Sequence, residues 1–436
     1  MGVASRRIKR GRGSVILDYR RTLLHRSRIP RPPYTSLPAF FQVGILRGIR
    51  WKLPKKQRGI YIMCKKIFIA ATGQHCGKTT ISLSLMHLAK KRYARVGFIK
   101  PIGPKLFVLD GVQMDMDAAL IASIYGLEED RRLMSPVVIG RGYTKRYLAG
   151  EIPAEVPLES ITRACRELEK KNDFLIIEGS GHGGVGSVIG INNAQVAKAL
   201  NAPVIMVASG GVGSVIDAVQ LNLPLFRQEG ADVKLVLVNK LLPELRVETL
   251  DYLKKFFGSR QQMVAGAFDY SRILANPTLI DLSNLLKLPL HGDQQAKSRI
   301  IHNIQLGAAS AQRVIDTLQD STLLITTSSR DELIVTASAL YNIPAYRKKL
   351  AGLVIPGSAP VSAISQKILD DSNIPYIKVP ETTADVFRTL KEHVSKITAD
   401  DHEKIDLIKL SAEQIFNFEV IDAMTQQNRR LRLRVA

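Results

Sequence analysis

The chain has 436 residues, of which 45% are hydrophobic and 23% charged, and its formal net charge at pH 7 is +23. This composition is typical of globular proteins and excludes a wholly disordered chain. Apolar runs such as 203–208 are much shorter than the roughly 20 residues that cross a bilayer, so we predict a protein without a membrane partner. Cys64, Cys76 and Cys165 fit neither a disulfide framework nor a zinc pattern, which indicates a reducing, cytoplasmic setting.

The positive charge is concentrated at the two ends of the chain. Residues 1–62 carry 16 Lys or Arg and one acid, and residues 429–436 carry four Arg, which leaves +4 for residues 63–428. A protein dedicated to duplex binding needs a basic face on its folded body to neutralise phosphates. The charge distribution therefore disfavours nucleic acid as a partner of that body.

Residues 1–62 are predicted to be a basic extension rather than a domain. Their arginines alternate with prolines and single apolar residues, without a sustained helical or strand period. Three interpretations remain open. They are a translation start at Met63, an organellar presequence, and a basic arm that contacts acidic surfaces.

From Lys66 onward, short apolar runs alternate with longer amphipathic stretches, which predicts an α/β fold around a parallel sheet. The runs are apolar on both faces, so we expect helices on both sides of the sheet. The first set of predicted strands is 66–71, 95–101, 173–179, 203–209 and 233–239. After about residue 275 a smaller α/β pattern follows, with predicted strands at 321–326, 350–357 and 375–380.

The first predicted strand runs directly into the sequence TGQHCGKTT at residues 72–80. In a P-loop, glycines let backbone N–H groups point at a phosphate, and the following helix adds its positive end. Lys78 would supply a point charge to the β- and γ-phosphates, and the Thr79 hydroxyl would ligate Mg²⁺. The usual pattern has glycine five positions before Gly77, where this chain has threonine, and Gly73 stands one place later. The segment is therefore a variant P-loop.

A magnesium-bound nucleotide also needs carboxylate ligands. Glu178 closes the predicted strand at 173–179 and precedes a glycine-rich segment, at the edge where open parallel sheets bind ligands. A helix N-cap acid beside a turn would give the same local pattern. Asp115 and Asp117 lie just before a helical pattern, and either one fits an ordinary helix cap.

Five segments, taken in order, resemble those of the dethiobiotin synthetase family. They are TGQHCGKTT, FIKPIG at 98–103, MDMDAAL at 114–120, IIEGSGHGG at 176–184 and VLVNK at 236–240. The resemblance implies a P-loop NTPase-type fold over roughly 63–270, with ATP and Mg²⁺ as cofactors. It implies that ATP is bound by Gly73, Gly77, Lys78, Thr79, Thr80 and Asn239, the last of them near the base.

The same resemblance implies the remaining roles in the site. Thr79, Asp117 and Glu178 would surround Mg²⁺, while Lys78 and Lys100 would be catalytic, with Lys100 facing the transferred group. The chain departs from the family at Ser180 and His182, which occupy variable places of its Glu-Gly-Ala-Gly-Gly element, and at Gly73, which replaces an aspartate. These departures bear on the family's carboxylation of diaminopelargonate and leave nucleotide binding intact.

The smaller α/β pattern resembles the DRTGG domain, which follows a dethiobiotin-synthetase-like domain in long phosphate acetyltransferases. Ser329 and Arg330 align with the Asp-Arg part of the name-giving motif, and 351–353 with its Thr-Gly-Gly part, so most of that motif is replaced. In the long enzymes the acetyltransferase catalytic domain comes next, and this sequence stops where it would begin. By analogy the two domains are regulatory, and acetyl transfer by this chain alone is not expected.

These patterns divide the chain into four segments: a basic extension at 1–62, a first domain at 63–270, a second domain at 271–396, and a C-terminal helix with a basic tail at 397–436. The leading hypothesis is a Mg-ATP-binding regulatory or sensor ATPase that forms homo-oligomers. The alternative is an ATP-dependent carboxylase or ligase of a small amine or carboxylate, with Lys100 and 139–147 as substrate contacts. A third interpretation is a partner of a separately encoded acetyltransferase, or of nucleic acid through the basic ends.

Overall fold

The computed structural model describes residues 63–259, 262–393 and 395–426. The basic extension at 1–62 and the end of the chain from 427 lie outside the described residues, so the interpretations of the extension stay open. The described residues belong to one compact unit. Within them, no helix is both long enough and apolar enough to cross a membrane.

Short apolar runs form the strands of the described residues. The first domain contains β1 (Lys65–Ala71), β2 (Val96–Ile99), β3 (Ile102–Gly103), β4 (Leu106–Leu109), β5 (Val112–Asp115), β6 (Val137–Val138), β7 (Phe174–Glu178), β8 (Val204–Ser209), β9 (Val233–Asn239) and β10 (Met263–Gly266). The second domain contains β11 (Asn303–Leu306), β12 (Thr322–Ile325), β13 (Leu350–Pro356) and β14 (Tyr376–Val379).

Helices fill the stretches between these strands, and several begin at a side-chain cap. Asn192 and Thr278, for example, each accept a hydrogen bond from the backbone of the first turn in a capping box. The helices are α1 (Lys78–Arg92), α2 (Met116–Tyr125), α3 (Arg131–Met134), α4 (Tyr143–Leu148), α5 (Val156–Lys171), α6 (Asn193–Ala199), α7 (Val212–Gln228), α8 (Arg246–Gly258), α9 (Arg272–Ala275), α10 (Leu279–Leu286), α11 (Ala311–Asp316), α12 (Asp331–Tyr341), α13 (Pro344–Lys349), α14 (Ala363–Asp371), α15 (Thr383–Glu392), α16 (His402–Ile415) and α17 (Phe418–Gln426).

The larger sheet is parallel throughout, with the strand order β10-β9-β8-β1-β7-β2. It contains all five strands predicted from the first set of apolar runs. Strand β1 lies between β8 and β7, so the chain leaves it toward one side of the sheet and later returns on the other. Ligands of open α/β sheets bind at such a switch point, outside the carboxyl ends of the strands. The loop at 72–77 begins there.

Both faces of this sheet are covered by helices, as the apolar runs predicted. Along β1, Ile67 and Ile69 join one buried cluster, and Phe68 and Ala70 join the cluster on the opposite face. This alternation follows from the period of two along a strand. The fold class is therefore confirmed as a P-loop NTPase-type parallel sheet between two helical layers.

The smaller sheet is also parallel, in the order β11-β12-β13-β14. Leu324 packs on one face of it, and Leu323 and Ile325 pack on the other. Three of its strands were predicted. The edge strand β11 was not, because its residues are only partly buried and polar residues interrupt the apolar run.

A hairpin between β4 and β5 precedes α2 in the first domain and was not predicted. Leu109 pairs with Val112, so Asp110 and Gly111 form a two-residue turn, and both have positive φ angles, 47° and 77°. An Asp-Gly pair is the usual sequence of such a turn. The sequence therefore contains a local signal for this hairpin, although β5 lacks the apolar run of the parallel strands.

The C-terminal segment returns to the first domain and contains two helices where one was predicted. Ile408 of α16 and Phe418 and Ile421 of α17 are buried in the same cluster as the strands and α1. The carboxylate of Asp422 accepts hydrogen bonds from the Lys65 ammonium at 2.7 Å and the Tyr93 hydroxyl at 2.6 Å. The core of the first domain is thus completed by residues that follow the second domain in the chain.

Candidate functional site

The loop between β1 and α1 makes a tight turn at Gly77, in a backbone conformation that favours glycine. Gly77 has a φ of 91°, and a Cβ atom at this position would lie 2.3 Å from Nδ2 of Asn239. That amide nitrogen donates to the carbonyl oxygen of Cys76 at 2.9 Å, while Oδ1 accepts from the Phe268 N–H at 3.2 Å. The buried Asn239 side chain therefore joins the loop to the end of β9 and to the chain after β10.

Lys78 begins α1, and its ammonium contacts backbone carbonyls on both sides of the loop. Its Nζ donates to the carbonyl oxygen of Gly181 at 2.7 Å and to that of Gly73 at 3.4 Å. Burial lowers the pKa of Lys78, and the charge of nearby Lys100 also acts to lower it. None of the ion pairs among the described residues involves Lys78, so its charge is available to an anion. Thr79, the next residue of α1, lines the same cavity.

Lys100 is buried at the end of β2 and pairs with two acids. Its Nζ lies 2.7 Å from Glu178 Oε1 and 2.6 Å from Asp117 Oδ2, and its side chain is only 3% exposed. Burial alone would lower the pKa of Lys100, but the two carboxylates raise it well above its usual range. Glu178 is fully buried and also accepts a hydrogen bond from Ser82 Oγ at 2.5 Å.

The two aspartates that precede α2 have different surroundings. Asp115 caps α2, because its carboxylate accepts from the backbone N–H of Asp117 at 2.9 Å. The same carboxylate also accepts from the backbone N–H of Lys105 at 3.1 Å. Asp117 instead contacts Lys100. Burial would raise the pKa of Asp117, but Lys100 and Lys396 lower it to about 2, so this carboxylate is ionised at neutral pH. Of the two aspartates, Asp117 is the one that reaches the cavity described next.

The loop, Lys100 and the two acids line a cavity of about 350 Å³ at the carboxyl edge of the larger sheet. Its volume is in the usual range of small-molecule sites. Eight of the predicted site residues line the cavity: Gly77, Lys78, Thr79, Thr80, Lys100, Asp117, Glu178 and Asn239. Gly73 does not line it, but its carbonyl oxygen accepts a hydrogen bond from Lys78. The segment 139–147, predicted as a substrate contact, does not line it.

The charged residues that line this cavity are mostly basic. Five lysines face three acids; the lysines are 78, 100, 105, 240 and 396, and the acids are Asp117, Glu178 and Asp269. Burial lowers the pKa of Lys105 to about 8, together with the charge of the neighbouring Lys396. An excess of ammonium groups around a concave site favours anionic ligands.

Three of these lysines, at positions 105, 240 and 396, were not predicted from the sequence to belong to the site. Lys240 is the last residue of the recognised segment 236–240, and Lys105 lies two positions after the segment 98–103, but neither was assigned a role there. Lys396 lies in the segment between α15 and α16, and no local pattern connects it to a P-loop. Its place in the cavity depends on how the chain packs after the second domain.

The donors in this cavity fit a hard cation bound together with phosphates. Asp117 and Glu178 offer carboxylate oxygens, and Thr79 offers a hydroxyl. Mg²⁺ usually takes one or two protein carboxylates and completes its coordination with water and phosphate oxygens. Among the described residues, no group of three or more His, Cys, Asp or Glu is arranged to hold a metal ion. The set therefore suits a nucleotide-associated magnesium rather than a metal held by protein alone.

Two family models match the chain in the order of its two domains. The model described as an AAA domain matches residues 65–282, and the model described as a DRTGG domain matches residues 288–393. The first match covers half of the chain. The resemblance to a dethiobiotin-synthetase-like P-loop domain followed by a DRTGG domain is thereby confirmed.

The curated relatives include two kinds of protein. Phosphate acetyltransferase of Nitratidesulfovibrio vulgaris is 24% identical over 356 residues, which are 79% of this chain and 49% of that protein. The ATP-dependent dethiobiotin synthetase of Clostridium kluyveri is 29% identical over 188 residues, which are 42% of this chain and 77% of that protein. The chain thus spans about half the length of the phosphate acetyltransferases it matches.

Among solved structures, apo McdA of Cyanthece is 16% identical to this chain. The match covers 48% of this chain and 87% of the McdA chain, with a TM-score of 0.33.

Proposed function

Since this chain belongs to the AAA-domain family whose model covers half of it, we propose that it binds Mg-ATP at its P-loop and acts as a regulatory or sensor ATPase. The observation that carries the proposal is the ammonium of Lys78, which forms no ion pair within the described residues, in a cavity lined by five lysines. A triphosphate supplies the negative charge that such a cavity lacks. The regulatory role is proposed because the chain is similar to about half the length of relatives named phosphate acetyltransferase.

Each part of the loop has a role in this proposal. Backbone N–H groups between Gly73 and Thr80 would point at the phosphates, together with the positive end of α1. Lys78 would contact the outer phosphates, and Asn239 would orient the loop beside the base. Thr79, Asp117 and Glu178 would hold Mg²⁺, which when bound neutralises phosphate charge.

The surroundings of Lys100 favour sensing over rapid turnover. Its ammonium is buried between Asp117 and Glu178 at 2.6 and 2.7 Å, rather than directed freely at the cavity. For Lys100 to stabilise a transferred phosphoryl group, at least one of these ion pairs has to rearrange. Each rearrangement leaves a charge that is temporarily unpaired in a buried site, which costs free energy. We therefore expect slow ATP hydrolysis.

Calorimetric titration with ATP and Mg²⁺ tests the proposal directly. The wild-type chain is expected to bind, and Lys78→Ala is expected to remove measurable binding, because it deletes the charge nearest the loop. Lys90→Ala is the matched control, since Lys90 lies on the exposed end of the same helix and should leave the affinity unchanged. Equal ATP affinity in Lys78→Ala and wild type would show that the cavity is not a P-loop nucleotide site.

A second candidate function is ATP-dependent carboxylation or ligation of a small amine or carboxylate. It is favoured by the 29% identity over 77% of a dethiobiotin synthetase. The chemistry would be phosphoryl transfer stabilised by charge rather than by a covalent residue. Release of ADP is the measurement, with and without bicarbonate and a panel of diamines and amino acids. Acceleration by one acceptor would favour the enzyme, and an unchanged basal rate across the panel would contradict it.

A further inference from the structure

The segment that follows the second domain contributes directly to the P-loop cavity. Ser395, Lys396 and Ile397 all line it, although they lie between α15 and α16, far from the loop in sequence. Nζ of Lys396 is 3.9 Å from Oδ1 of Asp117. A residue that the chain reaches only after completing the second domain thus lies beside the acid that pairs with Lys100.

Lys396 brings a charge that the protein alone neutralises poorly. Its contact with Asp117 is long, and the other oxygen of that carboxylate already pairs with Lys100 at 2.6 Å. Lys105 and Lys396 both line the cavity, and the charge of Lys396 acts to lower the pKa of Lys105. Two neighbouring ammonium groups repel each other unless an anion lies between them. A polyphosphate in the cavity is an anion of suitable charge.

The position of Lys396 is set by the residue before it. The Ser395 hydroxyl donates to Oδ2 of Asp281 at 2.8 Å and accepts from Nζ of Lys404 at 3.3 Å. Asp281 belongs to α10 at the start of the second domain, and Lys404 is a fully buried residue of α16. Nζ of Lys404 also lies 3.7 Å from Asp401. Buried charges from two separate parts of the chain therefore hold the segment against the cavity.

We propose that Lys396 binds the polyphosphate of the nucleotide, with Ser395 as a positioning residue, so that nucleotide occupancy and the packing of the second domain are coupled. This inference rests on the proposed function, because it deepens the description of the same site. Coupling of this kind is reciprocal: whatever stabilises the contact of Ser395 with α10 also strengthens nucleotide binding, and nucleotide binding stabilises that contact.

Titration of ATP, ADP or AMP, each in the presence of Mg²⁺, into full-length variants tests the contact between Lys396 and the phosphates. Lys396→Ala is expected to weaken ATP binding about tenfold, the loss of one charge-assisted hydrogen bond, and to change AMP binding by less than about twofold. Lys396→Arg keeps the charge and should bind ATP nearly as wild type does. Lys378→Ala is the control, because Lys378 is an exposed lysine of β14 outside the cavity.

The outcomes separate this inference from the proposed function. If Lys396→Ala binds ATP as tightly as wild type while Lys78→Ala does not bind, the inference fails and the proposed function stands. If Lys396→Ala weakens ATP and AMP equally, the contact with the outer phosphates is contradicted. If Lys78→Ala still binds ATP, both the proposed function and the inference fail.

Hydrogen exchange tests the coupling through Ser395. ATP is expected to slow amide exchange in α10 of the wild type, and Ser395→Ala should abolish this protection and weaken ATP binding about threefold. Ser395→Thr restores the hydroxyl and should restore both properties. A purely structural role would lower the stability of Ser395→Ala while leaving the ATP-dependent protection of α10 intact, and that result would overturn the coupling.

Discussion

Each of the two domains has its own parallel sheet with helices on both faces, but the charged residues near the two sheets have different partners. In the first domain, Lys78 and Lys100 follow the ends of strands and meet Asp117 and Glu178 around a cavity. In the second domain, the charged residue that aligns with the arginine of the DRTGG motif is Arg330, at the start of α12. Its guanidinium donates to the carbonyl oxygens of residues 307 and 309 at 2.7 Å each and to Glu332 at 2.5 Å.

This difference separates charges that are available to a ligand from charges that stabilise the fold. The donors of Arg330 are occupied by its own chain, so it fastens the loop after β11 to α12. The segment 351–353, aligned with the rest of the DRTGG motif, is buried within β13, and a Cβ on Gly352 would lie 2.6 Å from the Pro375 carbonyl oxygen. Similar sheets therefore carry different chemistry because different residues follow their strands.

The largest expected effect concerns the buried ion pairs of the first domain. Lys100→Met removes the cation next to Glu178 and leaves Asp117 with only the 3.9 Å contact to Lys396, and we expect the free energy of unfolding to fall by about 3–5 kcal/mol. Urea denaturation followed by circular dichroism measures the change. Lys378→Met, on an exposed position of the second domain, should stay within about 0.5 kcal/mol of wild type. A similarly small effect for Lys100→Met would mean that the two acids are neutralised in another way.

The next effect concerns the helices that complete the first domain after the second. Asp422→Asn removes the charged acceptor of Lys65 and Tyr93, and we expect a loss of about 2 kcal/mol together with faster amide exchange in α17. Asp406→Asn is the control, because that side chain is 76% exposed on α16. If exchange in α17 were unchanged by Asp422→Asn, this ion pair would not be what attaches the helix.

Arg330→Ala tests the second domain and is expected to be milder than either change above. The loss of hydrogen bonds to two carbonyl groups should cost about 1–2 kcal/mol, because part of the side chain is exposed and water replaces it. The affinity for Mg-ATP should be the same as in wild type. A marked loss of ATP affinity would contradict the contrast between the two domains and would place Arg330 in the nucleotide site.

The smallest effect is a pH dependence at the junction of Lys65 and Asp422. Burial would raise the pKa of Asp422, but hydrogen bonds from Lys65 and Tyr93 lower it below the ordinary value of 3.8. A carboxylate with a lowered pKa in the folded state adds stability above its unfolded pKa and loses it as the pH falls. The difference in unfolding free energy between wild type and Asp422→Asn should therefore narrow below about pH 4. A constant difference from pH 6 to 3 would contradict this assignment.

Features encoded by neighbouring residues could be predicted from the sequence. The apolar runs identified the central strands of both sheets, and TGQHCGKTT directly after β1 identified the loop that begins α1. The position of Glu178 at the end of a buried strand placed it at the correct edge. The Asp-Gly turn between β4 and β5 was equally local, and the edge strand β11 was missed because its burial pattern is weak.

The sequence by itself determined the central strands of both sheets, the variant P-loop and the acid at the end of β7, because each depends on residues within one strand, turn or helix. Only the tertiary structure decided that Lys100 pairs with both acids, that α16 and α17 complete the first core, and that Lys396 reaches the cavity. The physical reason is that electrostatic and packing energies depend on distances of a few ångströms. For residues separated by an entire domain, those distances are set by the folded chain and leave no pattern in the neighbouring sequence.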